Sequence, residues 1–114
     1  MRNKTKDENF LEKVPLRRED ITFKSDNDGI VTLEIENKGA YNRIAQKLFK
    51  KPKVSYIHLD KIGSQIWLLI DGQKSIVDIG TLAKEAIGDE LEPLYERLSK
   101  YFQILASYGF VSYK

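Results

Sequence analysis

The hydrophobic pattern of the chain changes its period once, at Asp60, and this change most constrains the fold. Before Asp60 apolar and polar residues alternate, as from Val31 to Ile35, which is typical of a strand with one buried face. After Asp60 apolar residues recur every three or four positions, which is typical of amphipathic helices. The sequence therefore predicts an α+β fold with strands first and helices second.

Three strands are predicted before Asp60. Residues 21–23 and 30–35 flank the turn sequence of residues 25–29, which ends in Asp-Gly, a frequent hairpin turn. Residues 54–59 are β-branched and aromatic, as in a third strand. The segment 37–53 between the second and third strands predicts a short amphipathic helix or an ordered loop.

Three helices are predicted after Leu59, each with a recognisable start. They are Lys61–Ile70 capped by Asp60, Ile76–Ile87 capped by Ser75, and about Glu92–Ser107 with Pro93 in its first turn. A short final strand is predicted over residues 110–113. Three strands followed by three helices is the order of a winged helix-turn-helix domain. We therefore predict a three-stranded antiparallel sheet and three helices over residues 21–114, after a flexible N-terminal leader over residues 1–20.

Length and composition exclude several classes of protein. The 114 residues suffice for one domain, and the absence of cysteine excludes disulfides, thiolate metal sites and cysteine nucleophiles. The longest aliphatic and aromatic run, Ile66–Ile70, is far shorter than the roughly twenty residues of a membrane-spanning helix, and no signal-peptide core follows Met1. The sequence therefore predicts a cytoplasmic protein. A net charge of +2 favours no nucleic-acid partner.

No pattern in the sequence indicates catalysis. His58 is the only histidine, and an isolated imidazole is a poor metal site. Asp60, Asp71 and Asp78 occupy a cap, a turn and an exposed helix position, so they do not form a catalytic pair. We find no nucleophile motif or phosphate-binding glycine loop. The sequence predicts a protein that is not an enzyme and has neither a metal nor a cofactor.

The stretch Ile57–Ile79 resembles the signature of the PqqD family. It has an apolar strand ending in Leu-Asp, an apolar helix ending in Asp-Gly, two variable residues and then Ser-Ile-Val-Asp-Ile. The segment Leu94–Phe110 is similar to the last helix of that family. The resemblance implies a peptide-binding module that captures the leader segment of a ribosomally made precursor. The module then presents this segment to a modifying enzyme such as a radical SAM enzyme.

The resemblance also implies where the peptide binds, as an added strand beside the third strand and in a groove against the last helix. Period-2 alternation turns three side chains of the third strand away from the core, and the last helix carries a second stripe beside its core stripe. The predicted peptide-binding residues are Val54, Tyr56, His58, Arg97, Lys100, Tyr101, Ile104 and Tyr108. An alternative is that Tyr101, Ile104 and Tyr108 pack under the N-terminal leader or at a homodimer contact.

A basic segment offers a second candidate surface, with no carboxylate between Glu36 and Asp60. Its lysines, predicted to dock a partner enzyme, are Lys47, Lys50, Lys51 and Lys53. A winged-helix DNA-binding regulator is one alternative, but the last helix begins among four carboxylates, which disfavours DNA. They are Asp89, Glu90, Glu92 and Glu96. The other alternative is an accessory subunit that binds a protein partner without any leader peptide.

Overall fold

The computed structural model describes residues 10–36 and 54–114, and in this part of the chain four strands precede three helices of nine residues or more, which one short strand follows. The elements are β1 (Pro15–Arg17), β2 (Thr22–Ser25), β3 (Val31–Glu36), β4 (Val54–His58), α1 (Lys61–Leu69), α2 (Ile76–Ile87), a 3-10 helix (Gly88–Leu91), α3 (Leu94–Ser107) and β5 (Val111–Tyr113). The predicted α+β arrangement of a three-stranded antiparallel sheet followed by three helices is confirmed. The helix or loop predicted over 37–53 lies outside the described residues.

Strands β2, β3 and β4 form one antiparallel sheet in that order. The turn between β2 and β3 is closed by Asp26, whose carboxylate accepts hydrogen bonds from the N–H groups of Asp28 and Ile30. Gly29 has a φ of 82°, which favours glycine at this position. In β3, Val31, Leu33 and Ile35 are buried whereas the residues between them are less so, as their alternation predicts.

The short strands β1 and β5 pair as a second antiparallel sheet, with Pro15 opposite Tyr113. The ring of Phe10 meets the ring of Tyr113 edge to face, with 5.4 Å between their centroids. Strand β1 lies inside the range 1–20 that the sequence predicts as a flexible leader, and its pairing joins this part of the range to the domain. Strand β1 has only three residues, which are too few to display a period, so its sequence did not predict a strand.

The core is formed by buried residues of β3 and of all three helices α1, α2 and α3. Its largest members, Trp67, Phe102 and Leu33, are fully buried, so the prediction that Trp67 belongs to the core is confirmed. The guanidinium of Arg17 lies over the rings of Phe23 and Trp67, at 5.0 and 5.6 Å, and donates two hydrogen bonds to the carbonyl oxygen of Ile70. Arg17 therefore joins β1 to the end of α1.

The helix starts follow the predicted caps, with one difference. Asp60 accepts a hydrogen bond from the N–H of Gly63 at 2.6 Å, and Ser75 caps α2 in a reciprocal capping box with Asp78. The third helix begins at Leu94, after the 3-10 helix, with Pro93 as the cap residue rather than in the first turn. None of the helices among residues 10–36 and 54–114 is long and apolar enough to cross a membrane.

Ser64 connects the first turn of α1 to the ends of β3 and β4. Its hydroxyl oxygen accepts a hydrogen bond from the N–H of Val31 at 2.8 Å, and the hydroxyl donates a longer one, of 3.4 Å, to the carbonyl oxygen of Leu59. The N–H of Leu59 in turn donates to the carbonyl oxygen of Val31 at 2.9 Å. Because Ser64 is fully buried, its hydroxyl depends on these backbone groups rather than on bulk water for its hydrogen bonds. They fix the corner at which β4 ends and α1 begins.

We predict that Ser64→Ala lowers the free energy of unfolding by about 1–3 kcal/mol, because the buried N–H of Val31 loses its acceptor. The matched control is Ser99→Ala, since Ser99 is also buried but its hydroxyl has no hydrogen-bond partner among the described residues. Urea unfolding followed by the fluorescence of Trp67 measures both variants. Equal losses in the two variants would contradict the role of the Ser64 hydroxyl.

Candidate functional site

Strand β4 is the outer strand of its sheet within residues 10–36 and 54–114, where it pairs with β3 alone. The hydrogen bond from the N–H of Leu59 to the carbonyl oxygen of Val31 shows which residues at this end of β4 bond β3. In an antiparallel ladder the backbone groups of every second residue bond the same neighbouring strand. The N–H and C=O groups of Ile57, two residues before Leu59, therefore point to β3. The backbone N–H and C=O groups of Tyr56 and His58 therefore point away from β3, toward the open edge.

The side chains of β4 divide as the alternation predicts. Val54, Tyr56 and His58 are exposed, with 61% of the Tyr56 surface accessible, whereas Ile57 and Leu59 pack against the core. The imidazole Nδ1 of His58 lies 2.7 Å from the hydroxyl oxygen of Thr32 on the neighbouring strand. This cross-strand hydrogen bond gives His58 a structural contact on the exposed face of the sheet.

A groove of about 600 Å³ lies between the end of β4 and the C-terminal half of α3. We call it the apolar compartment, because most of its lining side chains are aliphatic or aromatic. Its lining residues are Ile57, His58, Leu59, Asp60, Gly63, Tyr101, Ile104, Leu105, Tyr108 and Phe110. The rings of Tyr108 and Phe110 stack at its rim, with 5.5 Å between their centroids.

A second cavity, of about 230 Å³, continues the groove between α1 and the N-terminal half of α3. We call it the basic compartment, because Arg97 and Lys100 lie along it. Its lining residues are Asp60, Ile62, Gly63, Ile66, Leu91, Arg97, Lys100, Tyr101 and Ile104. The two compartments share four lining residues, so they lie next to each other.

Gly63 and Tyr101 form the boundary between the two compartments. The hydroxyl of Tyr101 donates a hydrogen bond to the carbonyl oxygen of Gly63 at 2.7 Å. A Cβ atom at position 63 would lie 2.9 Å from the Asp60 carboxylate and 3.2 Å from the Tyr101 ring, so the close approach requires glycine. Burial, aided by the charge of Asp60, raises the pKa of Tyr101 well above its usual range. Tyr101 is therefore a neutral, fixed wall of the groove.

The predicted site residues divide between three places. His58, Tyr101, Ile104 and Tyr108 line the apolar compartment, and Arg97 and Lys100 line the basic one. Val54 and Tyr56 lie farther along the β4 edge, outside the groove lining. The predicted docking residues Lys47, Lys50, Lys51 and Lys53 lie outside the described residues.

Sequence reasoning missed the residues at the corner between β4 and α1. Leu59, Asp60 and Gly63 line the groove, although the sequence indicates for Asp60 only a helix cap. The signal was present in the cap itself, because an N-cap directly after a strand requires the chain to turn there. Phe110 was missed because it follows the last helix, and only the fold brings it beside Tyr108.

The lining of the apolar compartment offers a ligand mainly aliphatic and aromatic contacts. Among residues 10–36 and 54–114, no three histidine or carboxylate side chains are grouped so that they could hold a metal ion. The Asp60 carboxylate accepts the N–H of Gly63, and its role is that of a helix cap. Among the described strands none pairs with the outer edge of β4. An unpaired strand edge beside an apolar groove matches an extended peptide with apolar side chains.

The sequence matches the model of a protein family described as "Coenzyme PQQ synthesis protein D (PqqD)" over residues 31–111. The matched range includes β3, β4, all three α-helices and every residue that lines the two compartments. Comparisons with curated proteins and with solved structures gave no match.

We predict that Tyr101 makes the stability of the domain depend on alkaline pH. Below about pH 10 Tyr101 is neutral in both the folded and the unfolded protein, so its full contribution to the free energy of unfolding is present. Above about pH 10 the unfolded chain loses the proton while the folded protein keeps it, because the folded pKa is raised, and stability falls. Urea unfolding at several pH values should show a shallower decline for Tyr101→Phe than for the native protein.

The control for this experiment is Tyr108→Phe, since Tyr108 is 67% exposed. This variant should retain the native pH dependence. At neutral pH, Tyr101→Phe should also unfold about 1 kcal/mol more easily, because the hydrogen bond to Gly63 is lost. Identical slopes for the native protein and Tyr101→Phe would show that Tyr101 is not responsible.

Proposed function

Since the chain belongs to the PqqD family, we propose that it is a non-catalytic module that binds the leader segment of a ribosomally made precursor peptide. It presents this segment to a modifying enzyme, such as a radical SAM enzyme, in cofactor or natural-product biosynthesis. The observation that carries the proposal is the pair of adjacent compartments beside β4, whose outer edge has no neighbouring strand among the described residues.

The mode of binding that we propose is strand addition to β4. The backbone groups of Tyr56 and His58 point away from β3, so they are oriented to bond an added strand. Main-chain hydrogen bonds would supply affinity, and side chains that enter the groove would supply specificity. The exposed ring of Tyr56 would cover the added strand on the sheet face opposite the core.

The start of α3 supports a peptide rather than DNA as the ligand. Asp89 and Glu92 both bind the ammonium of Lys84, and this contact lowers the pKa of Glu92 and raises that of Lys84. Glu90 and Glu96 are exposed nearby. Carboxylates at this end of the helix would repel DNA phosphates.

We predict that a leader peptide encoded beside this gene binds along β4 and α3. The test is a titration of the ¹⁵N-labelled full chain with that peptide, followed by amide chemical shifts. Shifts should concentrate at residues 54–60 and on the groove side of α3, around Tyr101, Ile104 and Tyr108. Shifts confined to the basic segment 47–53 would contradict the groove and favour that segment as the binding surface.

We predict that Tyr56→Pro weakens binding of this peptide about tenfold or more, because proline removes an N–H that points to the added strand. The sheet itself should survive, since this N–H does not bond β3 and proline is tolerated on the open side of an edge strand. Tyr56→Ala is the matched control: it removes the ring but keeps the N–H. Isothermal titration calorimetry should show a larger loss for the proline variant, and equal losses would exclude backbone pairing at this position.

A further inference from the structure

We propose that the peptide bound in this groove carries both an apolar side chain and a carboxylate, which occupy the apolar and the basic compartment respectively. The inference rests on the proposed function, because it describes the ligand of the same groove. It adds the chemical class of that ligand and assigns Lys100 and Arg97 as the residues that select its charge.

The apolar compartment favours an aliphatic or aromatic side chain. Its wall is formed by Ile57 and Leu59 from the strand side and by Ile104 and Leu105 from α3. Ile104 is 48% exposed, so an apolar side chain placed there would remove this surface from water.

The basic compartment has two cations without a carboxylate partner. Within the described part of the chain neither Arg97 nor Lys100 forms an ion pair, and the Nε of Arg97 donates to the backbone carbonyl of Glu92 at 3.1 Å. The one carboxylate in the lining, Asp60, caps α1 through the N–H of Gly63. The lining itself therefore holds two cations and one carboxylate, whereas nearby Glu92 pairs with Lys84 and Glu96 is exposed outside the lining. The ligand group that complements this lining is an anion.

The groove also gives the order of the two groups. The apolar compartment adjoins the end of β4, and the basic compartment begins beyond Gly63 and extends toward the N-terminal half of α3. A peptide that adds to the β4 edge therefore reaches the apolar compartment first and the two cations next. The carboxylate lies on the far side of the apolar residue from the segment paired with β4.

The test begins with peptides selected from a random display library on the immobilised full chain. We expect the enriched peptides to share an aliphatic or aromatic residue and an Asp or Glu. Fluorescence anisotropy of the most enriched peptide, labelled with fluorescein, then measures affinity. Lys100→Glu should weaken binding about tenfold, and adding Arg97→Glu should weaken it further, because attraction becomes repulsion.

The matched control is Lys24→Glu, which makes the same charge change at an exposed position on β2, the strand at the other edge of the sheet from β4. It should leave affinity within about twofold, since exposed charges at a distance are screened. Replacing the acidic residue of the peptide by Lys should abolish the preference for the native protein and restore binding to Lys100→Glu. Circular dichroism checks that each variant is folded.

The outcomes separate this inference from the proposed function. Peptides that shift the amides of β4 and α3 but lack a carboxylate, or that bind Lys100→Glu and the native protein equally, overturn the inference and leave the proposed function standing. A selection that yields no peptide bound to the groove overturns the proposed function, and this inference with it.

Discussion

The hydroxyl of Ser64 is the contact on which the arrangement of strands and helices around the groove depends. It accepts the N–H of Val31 and faces the carbonyl oxygen of Leu59, so one buried side chain joins β3, β4 and α1. Since the chain turns from strand to helix at Asp60, these bonds set the direction in which α1 leaves the sheet. The two compartments lie on either side of this first turn, and their relative position follows from it.

Helix α3 serves the core and the groove with different faces. Leu98 and Phe102 are fully buried in the core, whereas Ile104 and Tyr108 expose about half or more of their surface beside the groove. Tyr101 lies between the two faces and bonds the backbone of α1 through its hydroxyl. Because the core and this hydrogen bond hold α3, the fold itself fixes the walls of the groove, and fixed walls would reduce the ordering cost of binding a ligand.

Much of the candidate site followed from simple periodicity. The stripe of Arg97, Tyr101, Ile104 and Tyr108 has the spacing of one helix face, and the alternation in β4 predicted which side chains leave the core. Periodicity gives the direction of a side chain but not its partner. Periodicity placed Tyr101 on the helix face predicted to contact the peptide. The structure shows in addition that its hydroxyl bonds the carbonyl oxygen of Gly63 and that its pKa is raised.

By itself the sequence determined the elements: the change of period at Asp60, the caps at Asp60 and Ser75, and the buried faces of β3 and α3. These are local properties, since each depends on residues within a few positions of one another. Only the tertiary structure decided the pairing of β1 with β5, the bridge through Ser64 and the approach of Gly63 to Tyr101. Those contacts join residues more than thirty positions apart, and their geometry depends on how the finished core packs, which no local pattern records.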